Sequence, residues 1–280
     1  MAESVPPVFL ATAIAAVIRA GEFQMAHFGR DLRIDKKGAI DLVTEIDIAI
    51  EREFRQTIAE RFPDHAVLGE EFEVSGQRDE IPEYCWVFDP VDGTTNYAHG
   101  LPIFCSSLAL EIDGRAVVGA IYDPTRRELF TAERGAGAWL NGAPLQVSES
   151  DTLIDSLLVT GFPYSVQQDP AELVGLFGEF LGKARAVRRL GSAALDLCYV
   201  AAGRLDGFWE QKLNPWDMAA GALIVEEAGG MVTSSAGRPF TSRSGSVLAT
   251  NGRIHQAMLE TIDGFLQRFR SSKTDGLPSR

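Results

Sequence analysis

Two acids, Asp89 and Asp92, follow an apolar run at 86–88 and are followed in turn by Gly93, Thr94 and Thr95. A buried strand that ends in acids and then opens a helix places carboxylates beside free backbone N–H groups. Carboxylate oxygens bind hard cations such as Mg²⁺, and the N–H groups of a helix N-terminus bind phosphate. The spacing therefore predicts a metal-dependent phosphoryl site.

Other acids in the sequence occupy comparable positions, at the end of an apolar run or the beginning of a helix. They are Asp47, Glu70 and Asp217. Acids on helix faces, such as Glu51 and Glu53, are expected to be solvated instead. The simpler interpretation of Asp89 and Asp92 is a turn with an Asx cap. However, two acids that flank Pro-Val ahead of Gly-Thr-Thr exceed what a turn requires.

The bulk composition limits the class of protein. A chain of 280 residues allows one large domain or two modest ones, and 45% apolar residues suffice for a sizeable core. The net charge of −13 argues against a general nucleic-acid-binding protein. It allows an anionic substrate, because bound cations can make a site locally positive. Cys85, Cys105 and Cys198 give neither a disulfide framework nor a zinc pattern, so we expect a reducing, cytoplasmic location.

The apolar segment 8–18 resembles the core of a signal peptide, but Glu3 stands where such a peptide is basic. The run is also too short to span a membrane. Apolar residues continue at helical spacing as far as Phe28, which predicts a buried helix. No contact with a membrane is expected.

Local patterns define the elements of the first half of the chain. A helix is predicted over 8–28, and a second one, capped by Asp41 or Thr44, ends before Pro63. A short strand before Glu71 ends in acids. The apolar period then changes to two, which predicts antiparallel strands at 104–112, 116–122 and 129–132.

Strands and helices alternate in the second half, which ends in a helix predicted over 254–269. Mixed sheets layered with helices are the implied architecture. We interpret the whole chain as a single domain with two halves, of about 1–150 and about 151–270, joined by the polar stretch 145–155. The polar tail 271–280 is expected to fray.

Four motifs recur here in a family-specific order: D-L-V-T-x-x-D at 41–47, G-E-E at 69–71, W-x-x-D-P-x-D-G-T-x-N at 86–96, and W-D at 216–217 with E-A-G-G at 227–230. On these motifs the chain resembles the inositol monophosphatase family of magnesium-dependent, lithium-sensitive phosphatases. The match spans nearly the whole chain. The resemblance implies an α+β fold, a layered αβαβα sandwich of mixed and antiparallel sheets like that of inositol monophosphatase and fructose-bisphosphatase. It also implies a homodimer.

The resemblance further implies two or three Mg²⁺ ions per site. One ion would be bound by Glu70, Asp89 and the carbonyl of Val91. A second would be bound by Asp89, Asp92 and Asp217. A pair of ions about 3.5–4 Å apart is the usual arrangement for in-line displacement at phosphorus. A water molecule of lowered pKa would be the nucleophile.

Catalytic roles carried over from the family fall on Thr94, Asp47 and Glu70. Thr94, assisted by Asp47, would orient the water. The backbone N–H groups of Gly93, Thr94 and Thr95 would bind the phosphate. The protein would then act mainly by positioning and by neutralising charge.

The family's substrate-binding positions correspond here to Asp92, Arg188, Gly191, Ser192, Ala193, Glu210 and Asp217. Glu210 could accept hydrogen bonds from sugar hydroxyls; the alternative is an exposed acid at a strand end. The family's basic residue near the site would be Lys36 or its neighbour Lys37.

These features predict a phosphomonoesterase for myo-inositol 1-phosphate or a related small polyol phosphate. Histidinol-phosphate phosphatase is an alternative, since such enzymes share the sequence P-W-D-M-A-A-G found here at 215–221. Fructose-1,6-bisphosphatase and adenosine 3′,5′-bisphosphate phosphatase are others. A regulatory binding protein on a phosphatase fold is an alternative of a different class. Loss of activity should then appear as a missing ligand, whereas every predicted ligand is present.

Overall fold

The structure is a computed structural model that describes residues 5–30, 34–36, 42–72, 82–168 and 170–275, with only the backbone for 34–36, 42–44 and 272–275. Its α-helices are α1 (Pro7–His27), α2 (Glu45–Arg61), α3 (Thr94–Ala98), α4 (Ala171–Leu181), α5 (Ala193–Ala201), α6 (Pro215–Glu227) and α7 (His255–Asp275). Its strands are β1 (Ile34–Lys36), β2 (Leu42–Thr44), β3 (Ala66–Gly69), β4 (Tyr84–Asp92), β5 (Cys105–Ile112), β6 (Arg115–Asp123), β7 (Glu128–Glu133), β8 (Gly137–Leu140), β9 (Ala143–Pro144), β10 (Leu157–Thr160), β11 (Ala186–Arg188), β12 (Gly207–Gln211), β13 (Met231–Thr233) and β14 (Ser246–Thr250).

The strands form two large sheets and one small one. The 7-stranded sheet has the order β3-β4-β5-β6-β7-β8-β9, and the 5-stranded sheet has the order β11-β10-β12-β14-β13. Strands β1 and β2 pair separately. β3 is parallel to β4, whereas β4 to β9 pair antiparallel. In the 5-stranded sheet, β10 pairs in parallel with β11 and β12, and β14 is antiparallel to its neighbours β12 and β13. Both large sheets are therefore mixed, as predicted.

Alternation along β4 shows how the layers stack, because successive side chains of a strand point to opposite faces. Trp86 and Phe88 pack in one core with residues of α1 and α2. Cys85 and Val87 pack in another with residues of α5 and α6, which also cover the 5-stranded sheet. Trp209 of that sheet faces a third core with α4 and α7. The order is helix, sheet, helix, sheet, helix, which confirms the layered αβαβα prediction.

Helix α1 is long and apolar enough to cross a membrane by length and composition alone. In the fold it lies against β5 and β6 instead. Ala13, Val17 and Ala20 are buried at this contact. The predicted buried helix is therefore confirmed, and its apolar composition follows from that burial.

The end of the last helix differs from the prediction. Helix α7 continues to Asp275 and not only to Phe269, while the fraying of the tail 271–280 stays a prediction. The segment 270–275 contains no Gly or Pro, and Ser271 Oγ donates a hydrogen bond to the Gln267 carbonyl at 3.0 Å. Helix α2 begins at Glu45 and ends before Pro63, as predicted. Asp41, one of its two predicted caps, lies outside the described residues.

Candidate active site

Strand β4 does not end at Asp89, where the sequence predicted its end, but continues to Asp92 through an irregularity in its pairing with β5. Asp89 pairs with Ser107 and Asp92 pairs with Cys105, so β4 has one residue more than β5 between the two pairs. Such a bulge bends a strand and redirects its side chains. Within it, the Val91 N–H donates to Asp89 Oδ1 at 2.9 Å. The bulge thus places both acids at one end of the sheet.

Gly93 turns the chain from β4 into α3. Its φ is +95°, in the left-handed region that favours glycine. A Cβ here would lie 2.9 Å from the Ile103 carbonyl oxygen and 3.3 Å from that of Gly191. No other residue can therefore make this turn without displacing the backbone of both neighbouring segments.

Thr94 follows at the start of α3 and is buried. Its Oγ1 lies 2.9 Å from the Val91 carbonyl oxygen and 3.4 Å from Asp47 Oδ1. A hydroxyl has one proton to donate, and the shorter distance gives it to Val91. Asp47 is fully buried in the first turn of α2. Helix α2 thereby brings a carboxylate to this hydroxyl as its second acceptor.

The N-terminus of α5 holds Asp92. Ser192 Oγ and the Ala194 N–H both donate to Asp92 Oδ2, at 2.5 and 2.7 Å. Asp217, in the first turn of α6, is held in a similar way, because its Oδ2 accepts from the Asn214 N–H at 2.7 Å. Since these donors occupy one oxygen of each acid, the other oxygen, Oδ1, is the one that can bind a cation.

Glu51 was expected to be solvated and is instead fully buried, so that prediction is wrong. It accepts hydrogen bonds from the Glu71 N–H at 2.7 Å and from Arg55 Nε at 2.8 Å. Gly69 lies directly on its carboxylate, where a Cβ would clash. Glu51 therefore supports the backbone on both sides of Glu70, and helical spacing could not reveal this because the covering loop comes from later in the chain.

A cavity of about 290 Å³ collects most of the predicted site residues. Those that line it are Glu70, Asp89, Val91, Asp92, Gly93, Thr94, Thr95, Gly191, Ser192, Ala193, Glu210 and Asp217. Asp47 lies behind the wall, next to Thr94. Lys36 belongs to β1, where only the backbone is described, and Lys37 lies outside the described residues.

The arginine at the cavity is Arg189 and not the predicted Arg188. Arg188 ends β11, is exposed, and donates through Nη1 to the carbonyl of Val187 at 3.2 Å. Consecutive side chains at a strand end point in different directions. Which of the two adjacent arginines faces the cavity therefore depends on the register of the strand, which the motif does not specify.

Two further buried acids, Glu210 and Asp196, line the cavity. Burial raises the pKa of Glu210 to about 8; the positive charge of Arg189 acts against this rise, and Asp92 adds to it. Asp196, which the sequence reasoning missed, is also buried, and its Oδ1 has no hydrogen-bond partner among the described residues. Asp196 lies four residues after Ser192, the N-cap of α5, and so on the same side of that helix; this spacing could have identified it.

The segment Tyr164–Gln167, a short 3₁₀ helix, forms part of the rim of the cavity and was also missed. Tyr164 and Phe162 line the cavity there. Lys212 lines it from another side, with Nζ 3.0 Å from Ser165 Oγ. These residues belong to no motif, and only the fold brings them to the site.

The electrostatics of the cavity favour a bound cation. Burial raises the pKa of Asp89 well above its ordinary value, and the negative charges of Glu70, Asp92 and Asp217 add to the effect. A cluster of buried carboxylates is unfavourable unless a positive charge compensates it.

The donor set fits an open magnesium site. Among the residues described here, no three His, Cys, Asp or Glu side chains already converge as a complete metal-binding group. Mg²⁺ is usually bound by one or two carboxylates together with waters and substrate phosphate. A structural zinc site, in contrast, requires four protein ligands in a closed shell. The carboxylate and carbonyl oxygens available in this cavity are therefore suited to Mg²⁺ rather than to a structural zinc ion.

Solved structures with this layered fold define the class of protein. An inositol monophosphatase from Anabaena is 41% identical with a TM-score of 0.83, over 92% of this chain and 96% of that one. The extragenic suppressor protein SuhB from Bartonella henselae is 37% identical with a TM-score of 0.85, over 91% and 98%. The fold and the acid-lined cavity thus place the protein among the phosphatases built on this sandwich.

Sequence comparison gives the family. The model of the inositol monophosphatase family matches residues 7–266. An inositol-1-monophosphatase from Synechocystis is 45% identical over 264 residues, 94% of this chain and 91% of that protein. The Nus factor SuhB of Escherichia coli K12 is 42% identical over 253 residues, 89% and 94%. The chain belongs to the inositol monophosphatase family, whose members are generally metal-dependent.

Proposed function

We propose that this protein is a Mg²⁺-dependent phosphomonoesterase that hydrolyses myo-inositol 1-phosphate or a related small polyol phosphate. One observation carries the proposal. Four acids from three parts of the chain, Glu70 after β3, Asp89 and Asp92 on β4, and Asp217 on α6, line one cavity together with Thr94. A motif-bearing protein that had lost its activity would not need to keep this arrangement.

The carboxylates would divide two ions between them. Glu70, Asp89 and the Val91 carbonyl would hold one, and Asp89, Asp92 and Asp217 would hold the other; a third ion is compatible with the same cavity. When bound, the ions neutralise the charge of the phosphate and lower the pKa of a water molecule. Burial of Asp89 among like charges supplies the driving force for binding them.

Thr94 and Asp47 would orient the attacking water. The Thr94 hydroxyl donates to the Val91 carbonyl in this structure, with Asp47 Oδ1 as the second acceptor at 3.4 Å. With the Val91 carbonyl serving as a cation ligand, the Thr94 hydroxyl would donate to Asp47 instead. The lone pairs of Thr94 Oγ1 would then accept a hydrogen bond from the water and hold it in line.

The turn at Gly93 would bind the phosphate through the N–H groups of Gly93, Thr94 and Thr95. These amides lie at the start of α3, where backbone donors favour an anion. The missing side chain at Gly93 allows the turn to pack against the backbone of Ile103 and Gly191. The chain would contribute positioning and fixed dipoles rather than a covalent intermediate.

The part of the cavity formed by the start of α5 and by β12 would bind the alcohol portion of the substrate. Ser192, Ala193 and Glu210 line that part, with Arg189 taking the place expected for Arg188. The positive charge of Arg189 already acts on Glu210. This weakens the attraction of Glu210 for an ammonium group such as that of histidinol, and it leaves hydroxyl recognition as the better fit.

Relatives named Nus factor SuhB favour a second candidate function, in which the fold binds a regulatory partner. That name describes those proteins. For this chain the two functions are compatible, because the cavity keeps its acids while the outer surface is free to differ. We infer further that the protein is a cytoplasmic homodimer, as the family resemblance implies.

A substrate panel tests the proposal. Phosphate release would be measured from myo-inositol 1-phosphate, histidinol phosphate, fructose 1,6-bisphosphate and adenosine 3′,5′-bisphosphate, each with Mg²⁺, with Mg²⁺ plus Li⁺, and with a chelator. We expect inositol phosphate to be turned over fastest, only with Mg²⁺, and more slowly with Li⁺. Preference for histidinol phosphate would establish the alternative enzyme. No release from any substrate would favour the regulatory candidate.

A further inference from the structure

Gln24, in the last turn of α1, is a fully buried amide on a helix whose buried face is apolar apart from Thr12. Its Nε2 donates to the Pro90 carbonyl at 2.7 Å and to Ser106 Oγ at 2.9 Å. The backbone carbonyl of Gln24 accepts from the Tyr97 hydroxyl at 2.8 Å. One residue of α1 is therefore bonded to β4, β5 and α3 at the point where these elements build the cavity.

Pro90 is the residue inside the bulge of β4, between two proposed ligands, Asp89 and Val91. Proline has no N–H, so its carbonyl is its only polar backbone group. This carbonyl accepts from Gln24 Nε2 at 2.7 Å and from Ser106 Oγ at 2.9 Å. Two buried donors thus fix the orientation of the peptide unit from which the Val91 N–H donates to Asp89 Oδ1.

Stability alone does not account for an amide at this position. Gln24 Oε1 has no hydrogen-bond partner among the described residues, and an unsatisfied buried acceptor is unfavourable. The surrounding core consists of apolar side chains such as Val91, Tyr97 and Phe104. An apolar residue would satisfy such a core better, so the benefit of Gln24 lies in what its Nε2 holds.

We propose that Gln24 is a positioning residue that acts with Ser106 on the metal-binding bulge. By holding the Pro90 carbonyl, the pair fixes the bulge in the conformation that presents the Asp89 carboxylate and the Val91 carbonyl together. Outer-sphere partners of this kind orient the groups that contact a metal, and their loss weakens binding by about tenfold to a hundredfold. The inference deepens the proposed function, on which it depends for the identity of the cation.

Two variants and one control test it. Gln24→Leu with Ser106→Val removes both donors and fills the same space with apolar groups, whereas Ser106→Ala alone removes one donor with a smaller risk to folding. The control is Thr12→Val, which removes another buried polar group of α1; Thr12 Oγ1 donates to the Val8 carbonyl of the same helix, at 2.7 Å. All measurements are made well below the unfolding midpoint of each variant.

Titration calorimetry of the metal-free protein with Mg²⁺ is the first measurement. The double variant should bind with a dissociation constant raised about tenfold or more, Ser106→Ala with a smaller increase, and Thr12→Val as the unaltered protein does. Hydrogen exchange of the Val91 amide, measured without metal or substrate, is the second. It should accelerate in the double variant and stay unchanged in the control.

Unchanged Mg²⁺ affinity and unchanged Val91 exchange in the double variant would overturn the inference. Equal effects in Thr12→Val would also overturn it, because they would mean that Gln24 stabilises the packing of α1 in general and does not act on the bulge specifically. A failure of the proposed function has a different signature. The unaltered protein would then neither bind Mg²⁺ nor release phosphate, while the Val91 exchange would still decide whether Gln24 and Ser106 fix the bulge.

Discussion

Glu210 is a carboxylate in surroundings that disfavour its charge. It is 8% exposed and lies against Gly161, where a Cβ would clash with the carboxylate. Burial raises its pKa to about 8 from an ordinary value of 4.5, although Arg189 opposes the rise. The carboxyl group is thereby kept at the cavity, where we propose that it binds a polyol hydroxyl, at some expense of stability.

The metal-free protein should show this expense as a dependence of stability on pH. Because the folded pKa is the higher one, the folded state holds more protons between pH 4.5 and about 8, and stability falls as pH rises through that window. Glu210→Gln removes the effect. The difference in unfolding free energy between Glu210→Gln and the unaltered protein, measured in urea, should grow by up to about 4 kcal/mol from pH 5 to pH 9. A constant difference would contradict a buried, neutral Glu210.

The same variant also tests recognition of the alcohol. Glu210→Gln should raise KM for inositol phosphate more than for p-nitrophenyl phosphate, whose leaving group has no sugar hydroxyls. The two KM values are measured on one preparation, so its metal content is shared. Equal increases would mean that Glu210 does not contact the alcohol portion.

Helix α2 shows how one element serves the site from two successive turns of the same face. Asp47, in its first turn, faces Thr94, and Glu51, one turn later, supports the loop around Glu70. Glu53, two residues further on, is about half exposed and pairs with the exposed Arg19 at 2.7 Å. The sequence predicted this helix and its end before Pro63, but it could not distinguish the two glutamates.

Glu51→Gln and Glu53→Gln form a matched pair on one helix. The first leaves the guanidinium of Arg55, only 18% exposed, without its carboxylate, and should destabilise the protein by about 3 kcal/mol or more. The second breaks a solvated pair and should change stability by less than about 1 kcal/mol. Urea unfolding measures both. Similar small effects would show that the burial of Glu51 contributes little.

At the scale of the whole molecule, the site lies where elements of the two large sheets meet. Asn96 Nδ2, on α3, donates to the carbonyl of Leu190, after β11, at 2.9 Å. Ser107 Oγ, on β5, donates to the carbonyl of Trp216, on α6, at 3.3 Å. These bonds bring Asp217 and the residues around Ser192 to the acids of β4. The prediction that the whole chain is one domain of two halves is compatible with this assembly and remains a prediction.

The layers and most of the candidate site could be predicted from the sequence, because periodicity specifies the elements and motifs specify Asp89, Asp92 and Asp217. What could not be predicted depends on contacts between distant segments. Gln24 is an isolated amide on an apolar helix, and the choice of Arg189 depends on one residue of register. The bulge at Pro90 arises from pairing with β5, which no local pattern encodes.

The most direct test of the central claim compares Mg²⁺-dependent phosphate release by the unaltered protein and by Asp89→Asn. Asp113→Asn is the control, because Asp113 is exposed in a hairpin turn at φ +50°, a conformation that Asn tolerates. Asp89→Asn should reduce turnover of myo-inositol 1-phosphate at least about a hundredfold with an unchanged circular dichroism spectrum, and Asp113→Asn should leave turnover intact. Near-normal turnover in Asp89→Asn would contradict a reaction that depends on cations held by this carboxylate.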